Sequence, residues 1–209
     1  MTCFPETFRT QLTDLMRWRR DVRRFRPDPV DEALLRQCLD AFLLAPSVGL
    51  SEPWRIVRVR SAAARQAAQE NFEACNADAL AGYDGERARL YSSLKLSGLR
   101  EAPEQIAVFC AEETAKGAGL GARTMPETRR YSTVGAITLF WLDARARGLG
   151  VGWVSILDPA RLARDLGVPQ DWALVGYLCI GWPEQESETP ELETSGWERR
   201  RGGLPMRDA

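Results

Sequence analysis

The sequence contains no histidine, and that absence excludes more than any residue present decides. Neither a Ser-His-Asp nor a Cys-His nucleophile can be built without it, nor can the usual zinc site, so proton transfers fall to carboxylates, hydroxyls or a bound organic group. Lysine is nearly missing too: Lys95 and Lys116 are the only two, and every other basic residue is arginine. There is no basic excess, because 28 basic and 29 acidic side chains leave a formal charge of −1, which removes the electrostatic case for a nucleic-acid partner. No stretch approaches the ~18 consecutive apolar residues of a membrane span. Met1 to Arg20 carries Glu6 and Asp14 and has no apolar run of the secretory kind. The five cysteines (Cys3, Cys38, Cys75, Cys110, Cys179) are odd in number, form no C-x-x-C pair and fall mostly in apolar segments. They read as reduced thiols of a cytoplasmic protein.

What remains is one domain's worth of chain, residues 1–209, enough to bury ~70% of the surface an unfolded chain exposes. Apolar spacing predicts helices over Phe8–Trp18, after the capping residue Asp31, over Ser61–Leu80, over Gly85–Leu99, at the centre over Val134–Ala146, and over Pro159–Leu166. Strands are expected at Trp54–Arg60, which alternates apolar residues with arginine, and at Ile106–Cys110, Gly150–Ile156 and Leu174–Gly181. Glu112–Arg130 is glycine-rich without a period and reads as a long loop of the lid type. Beyond Trp182 a polar tail, residues 182–209, keeps Leu192, Trp197 and Leu204 as spaced anchors, which suits wrapping around a partner subunit. The fold class is α+β, with a small sheet flanked by helices that a dimer would complete.

Three segments can carry chemistry. Arg19-Arg20-Asp21-Val22-Arg23-Arg24-Phe25-Arg26 places five arginines and a lone carboxylate in eight residues, and guanidinium forks at this spacing suit a phosphate dianion. Pro46-Ser47-Val48-Gly49 is a small-residue turn whose amides and hydroxyl can approach a ring or a polyol chain. Gly148-Leu149-Gly150-Val151-Gly152-Trp153-Val154-Ser155 has dinucleotide-like glycines but leads into a strand instead of opening a helix, so a Rossmann site is rejected. The glycines are read instead as room for a flat ligand, with Ser155 offering one hydroxyl. Phosphate forks, a small-residue turn, a glycine-rich strand and no histidine together suit a cofactor that brings its own reactivity, and flavin mononucleotide (FMN) fits those parts.

In order, Arg19-Arg20-Asp21-Val22-Arg23, Ala45-Pro46-Ser47-Val48-Gly49, Pro53-Trp54, Gly85-Glu86-Arg87, Leu94-Lys95-Leu96, Ala102-Pro103, Tyr131-Ser132, Trp141-Leu142 and Gly150-Val151-Gly152-Trp153-Val154-Ser155 resemble the aerobic dimethylbenzimidazole synthase branch of the nitroreductase superfamily. The match runs from Arg17 to Trp197. General FMN nitroreductases share the arginine motif and the Pro-Ser loop, commonly with serine where Asp21 stands. The resemblance implies a nitroreductase-like fold with a mixed or antiparallel sheet, in an intertwined homodimer with the flavin at its interface beneath a lid. It implies that reduced FMN is itself the substrate, fragmented with molecular oxygen to 5,6-dimethylbenzimidazole and erythrose 4-phosphate for the lower ligand of cobalamin. NAD(P)H would be only an indirect source of electrons, in line with a separate flavin reductase. The positions that match its catalytic pair are Asp21 and Ser155. Those that match its flavin contacts are Arg19, Arg20, Asp21, Val22, Arg23, Pro46, Ser47, Ser155 and, in the tail, Arg200. No metal site is expected. Glu52 departs from the amide common at its position, and a carboxylate cannot donate the same hydrogen bond. The competing expectations are an FMN-dependent NAD(P)H nitro or quinone reductase and a flavin-binding protein without catalysis.

Overall fold

The computed structural model describes residues 3–208. Its strands are β1 (Trp54–Arg58), β2 (Glu104–Ala111), β3 (Gly150–Val154) and β4 (Trp172–Gly181), and its helices are α1 (Glu6–Trp18), α2 (Glu32–Asp40), α3 (Ala62–Ala81), α4 (Gly85–Ser93), α5 (Thr128–Ala146), α6 (Pro159–Asp165) and a short α7 (Glu191–Thr194). The strands form one antiparallel sheet in the order β1-β2-β4-β3. The central strands are apolar on both faces because both faces are covered. Ile106 and Val108 of β2 with Leu178 and Ile180 of β4 pack towards α2 and α5, whereas Ala107 and Phe109 with Tyr177 and Cys179 pack towards α3 and α6.

Helix starts follow the local chemistry. The carboxylate of Asp31 accepts from Leu34 N–H, Ser61 Oγ from Ala64 N–H, and Asp158 from Ala160 and Arg161 N–H ahead of Pro159. Two expected boundaries move by more than two residues. α4 stops at Ser93, well before Leu99, and the chain from Leu94 onward turns extended. α5 begins at Thr128, ahead of Val134, because the hydroxyls of Ser132 and Thr133 donate to the carbonyls of Thr128 and Arg129 and so satisfy themselves within the helix. Nor is α5 covered all round, since Tyr131 and Val134 face outward. α1 buries no residue and leaves Phe8, Leu12 and Met16 exposed along one side.

In the layer beneath α3, a polar pair is sealed in. Tyr177 O–H donates to Gln105 Oε1 at 2.6 Å, and Gln105 Nε2 donates to the Leu99 carbonyl at 2.7 Å, with both residues buried. Burial pushes the phenol far above its ordinary range. Tyr177→Phe leaves the amide oxygen dry and unpaired, an expected loss of about 1–3 kcal/mol. Thermal melting should show it as a fall of ~2–4 °C per kcal/mol, and an unchanged Tm would mean that water reaches Gln105.

The thiols follow burial. Cys38, Cys110 and Cys179 are buried, and desolvation pushes Cys38 up to about 11 and Cys179 up to about 12, whereas Cys3 is exposed. A thiol reagent applied to the native protein should modify Cys3 quickly, and reach Cys38, Cys110 and Cys179 only after denaturation. Fast native reaction of those three would contradict this packing.

Candidate active site

The arginine segment leaves α1 at Arg19 and runs alongside β3 as a short parallel addition to the sheet. Val22 N–H donates to the Val151 carbonyl at 3.0 Å, and an isolated parallel bridge joins Asp21 to Val151. The glycines of β3 exist for this contact. A Cβ on Gly150 would meet the Val22 side chain at 2.9 Å, and one on Gly152 would fall on the Val22 carbonyl oxygen. The room read from the sequence as space for a flat ligand is therefore filled by the protein's own Val22, side chain and backbone.

Docking on β3 fixes the carboxylate. Asp21 Oδ1 accepts the Trp153 N–H at 2.8 Å, and Oδ2 accepts Arg23 Nε at 2.8 Å. Arg23 is the more buried partner and also donates to the Lys95 carbonyl at 3.1 Å. Asp21 stays about one-third exposed, so its carboxylate is gripped by two donors and still reachable. Ser155 follows the last residue of β3, two residues past Trp153, and is exposed.

The remaining arginines present donors. The Arg19 guanidinium lies 4.7 Å from the Trp141 ring centroid, and its N–H groups have no hydrogen-bond partner among the described residues. Arg20 donates to the carbonyls of Arg19 and Glu188, while its Nε is buried without a partner. Burial first, then the positive charges of Arg200 and Arg19, push the Arg20 guanidinium below its ordinary value, which places Arg200 in the same electrostatic neighbourhood. Arg200 itself is exposed and donates to Glu193 at 2.8 Å.

The tail closes over this segment. Arg26 N–H donates to the Trp182 carbonyl, Glu184 N–H to the Arg24 carbonyl, and Glu191 pairs with Arg24 at 3.4 Å. A cavity of about 320 Å³ lies between the two runs, walled by Arg20 to Arg24 and by tail residues from Gln185 to Thr194. That is the low end of the ~300–1,000 Å³ typical of small-molecule sites. Further on, Trp197 packs against Tyr83 and Tyr91, and the Arg87 guanidinium stacks on its ring at 3.8 Å. One tail anchor is thus seated on its own chain, while Leu204 and Met206 stay exposed.

Pro46 and Ser47 are placed elsewhere. Their loop is interlocked with the glycine-rich stretch before α5: a Cβ on Gly117 would meet the Gly49 carbonyl oxygen at 2.5 Å, Val48 N–H donates to Ser132 Oγ, and Lys116 pairs with Glu52. Among the described residues no hydrogen bond or ion pair joins this loop to Arg19–Arg23. Leu50 and Glu52 hold left-handed backbone at φ 55° and 41°, strain of the kind that persists where surrounding contacts impose it. Glu52 N–H donates to Ser47 Oγ, so the hydroxyl proton of Ser47 is left to donate outward. The Glu52 carboxylate, the departure noted in the sequence, is occupied by Lys116. Sequence reasoning gave no role to Trp153, Lys95 or Trp141. Two of them act through backbone atoms, and their positions in the resembling strings were the only available signal.

The antiparallel sheet, its flanking helices and the arginine segment on the β3 edge define a flavoenzyme-type fold, and a family model for the nitroreductase family matches residues 16–182, so the chain belongs to that family. Within it, the chain is 57% identical to a 5,6-dimethylbenzimidazole synthase of Rhodospirillum rubrum, over 95% of this chain and 94% of that one. It is 49% identical to a protein of the same name from Rhodobacter capsulatus, over 93% and 94%. Among solved structures, an iodotyrosine deiodinase bound to FMN and 3-iodo-L-tyrosine superimposes with a TM-score of 0.70 at 21% identity, covering 94% of this chain and 97% of that one. Among the described residues no helix is long and apolar enough to cross a membrane.

Proposed function

We propose that this protein is a 5,6-dimethylbenzimidazole synthase, which consumes reduced FMN and molecular oxygen and releases 5,6-dimethylbenzimidazole and D-erythrose 4-phosphate for the lower ligand of cobalamin. The near-full-length identity to two synthases supports the reading. The observation that carries it is Asp21, a carboxylate held among arginines by the Trp153 amide and Arg23.

The residues suit FMN. The buried, unpartnered Nε of Arg20 and the free edge of Arg19 are donors that a phosphate dianion satisfies, with Arg200 adding charge from the tail. Arg23 is committed to Asp21 and Lys95, so its part is to hold the carboxylate and lend positive charge. Reduced FMN, when bound, supplies the electrons for oxygen and is itself the molecule broken apart. The chain's own contribution is to hold the phosphate, exclude water and move protons. Without histidine, Asp21 is the acid/base and Ser155, just past the end of β3, the hydroxyl donor. Ser47 contributes a second outward donor, supplied from the other subunit of a homodimer, because within one subunit its loop is not joined to the arginines. The exposed apolar residues of α1, with Leu43, Leu44, Leu50 and Leu120, give such a dimer a surface to bury. The chain acts in the cytoplasm, draws reduced flavin from a separate NAD(P)H-dependent reductase, and covers its partner with the end of the tail.

Supplying NAD(P)H, catalytic FMN and a quinone or nitroaromatic tests this against the reductase alternative. The expected outcome is no sustained NAD(P)H oxidation by the protein alone. Steady turnover with the flavin conserved would move the assignment to a reductase.

A further inference from the structure

The first residue of the arginine segment is held by a reciprocal pair of contacts with α5. Trp18 ends α1 and Arg19 follows it, while α5 carries Trp141 and, one turn later, Arg145. The Arg19 guanidinium lies over the Trp141 ring at 4.7 Å, and the Arg145 guanidinium lies over the Trp18 ring at 3.5 Å. Each run gives one cation and one indole. Arg145 is a buried charge, 5% exposed at its side chain, and its carboxylate partner is Glu186 of the tail at 2.9 Å. The guanidinium carried by the central helix therefore joins the end of α1 to the tail that covers the arginine segment. Such a buried cation needs partners of this kind to be tolerated, and here they are the residue just before the arginine segment and a residue of the tail that walls the site.

We propose that Trp141 and Arg145 are positioning residues for the flavin phosphate: they fix where the chain leaves α1 and keep the Arg19 guanidinium over the indole, its unpartnered N–H groups left for the ligand. The contacts of Val22 and Asp21 with β3 set the middle of the segment, and this pair sets its start. The role in ligand binding rests on the function proposed above, but the positioning of the backbone does not.

The test uses the full-length protein and two readouts. Hydrogen exchange of the peptide spanning residues 19–26, measured without flavin, reports the positioning; the FMN dissociation constant, from quenching of flavin fluorescence, reports its use. Arg145→Met and Trp141→Leu should each speed exchange in that peptide and weaken FMN binding by about tenfold, the size expected from losing one desolvated cation–π contact. Trp141→Phe keeps a ring face and should fall between wild type and Trp141→Leu, and it decides the matter if Arg145→Met does not fold. Exchange at 19–26 that matches wild type in the folded variants overturns the proposal, as does exchange that rises equally across the whole chain. Should the wild type bind no FMN, the functional reading fails by itself, while local exchange at 19–26 still supports or overturns the positioning.

Discussion

Asp21→Asn should lose product formation by a factor of order 10²–10⁴ while FMN still binds, the size expected when one group's proton transfer is removed. The structure gives the substitution a specific consequence. The Asn oxygen can still accept from the Trp153 amide, but its NH₂ then faces Arg23 Nε, donor against donor, where a carboxylate oxygen accepted at 2.8 Å. Arg23 is released, and a negative charge is removed from beside the arginines proposed to hold the phosphate. Affinity for FMN is therefore expected within tenfold of wild type, on either side. Binding and turnover thus separate, which a folding defect would not produce. Single-turnover product analysis beside a flavin titration checks it, and near-normal product yield would remove Asp21 from the chemistry. Ser155→Ala, acting on a hydroxyl at an exposed strand end, should be milder and divert flavin towards simple reoxidation.

The second large effect is expected from one methyl group. Gly152→Ala would place a Cβ on the Val22 carbonyl oxygen, and that backbone is held on both sides, by Val22 N–H to Val151 and by Asp21 to Trp153 N–H. Nothing flexible is there to yield, so the arginine segment must part from β3. Overpacking of this kind costs about 1–3 kcal/mol and at times more. The functional loss should exceed the loss of stability, because Arg19, Arg20, Asp21 and Arg23 move together. Gly150→Ala meets the Val22 side chain at 2.9 Å, a shallower overlap than that of Gly152 with the backbone, and should be milder on both measures. Melting curves and FMN titration of the two variants give the comparison. A Gly152→Ala protein with wild-type Tm and flavin affinity would show that the segment does not lie on β3.

The sequence and the structure agree where local chemistry decides. Asp31 announces its helix as a cap, Ser61 and Asp158 prove to cap theirs in the same way, and the four strands are visible as short apolar or alternating runs. The arginine segment stands out by its composition as a candidate phosphate run, but its pairing with β3 does not. A single parallel bridge has no period, and five arginines hide the one strand-like residue, Val22, that makes it. Gly150 and Gly152 were legible as a close approach with the wrong visitor assigned to them. Trp153 contributes to the site through its amide, which any residue would supply. The separation of Pro46 and Ser47 from the arginines depends on how the long loop seats against Gly49, a contact between segments more than sixty residues apart in sequence.

The central claim is that this protein destroys the flavin it binds. It is tested most directly by mixing the purified protein anaerobically with chemically reduced FMN, admitting air, and resolving the small molecules by chromatography and mass. 5,6-Dimethylbenzimidazole formed in proportion to the FMN lost, with no other protein present, is the expected result. FMN recovered intact beside hydrogen peroxide would contradict it.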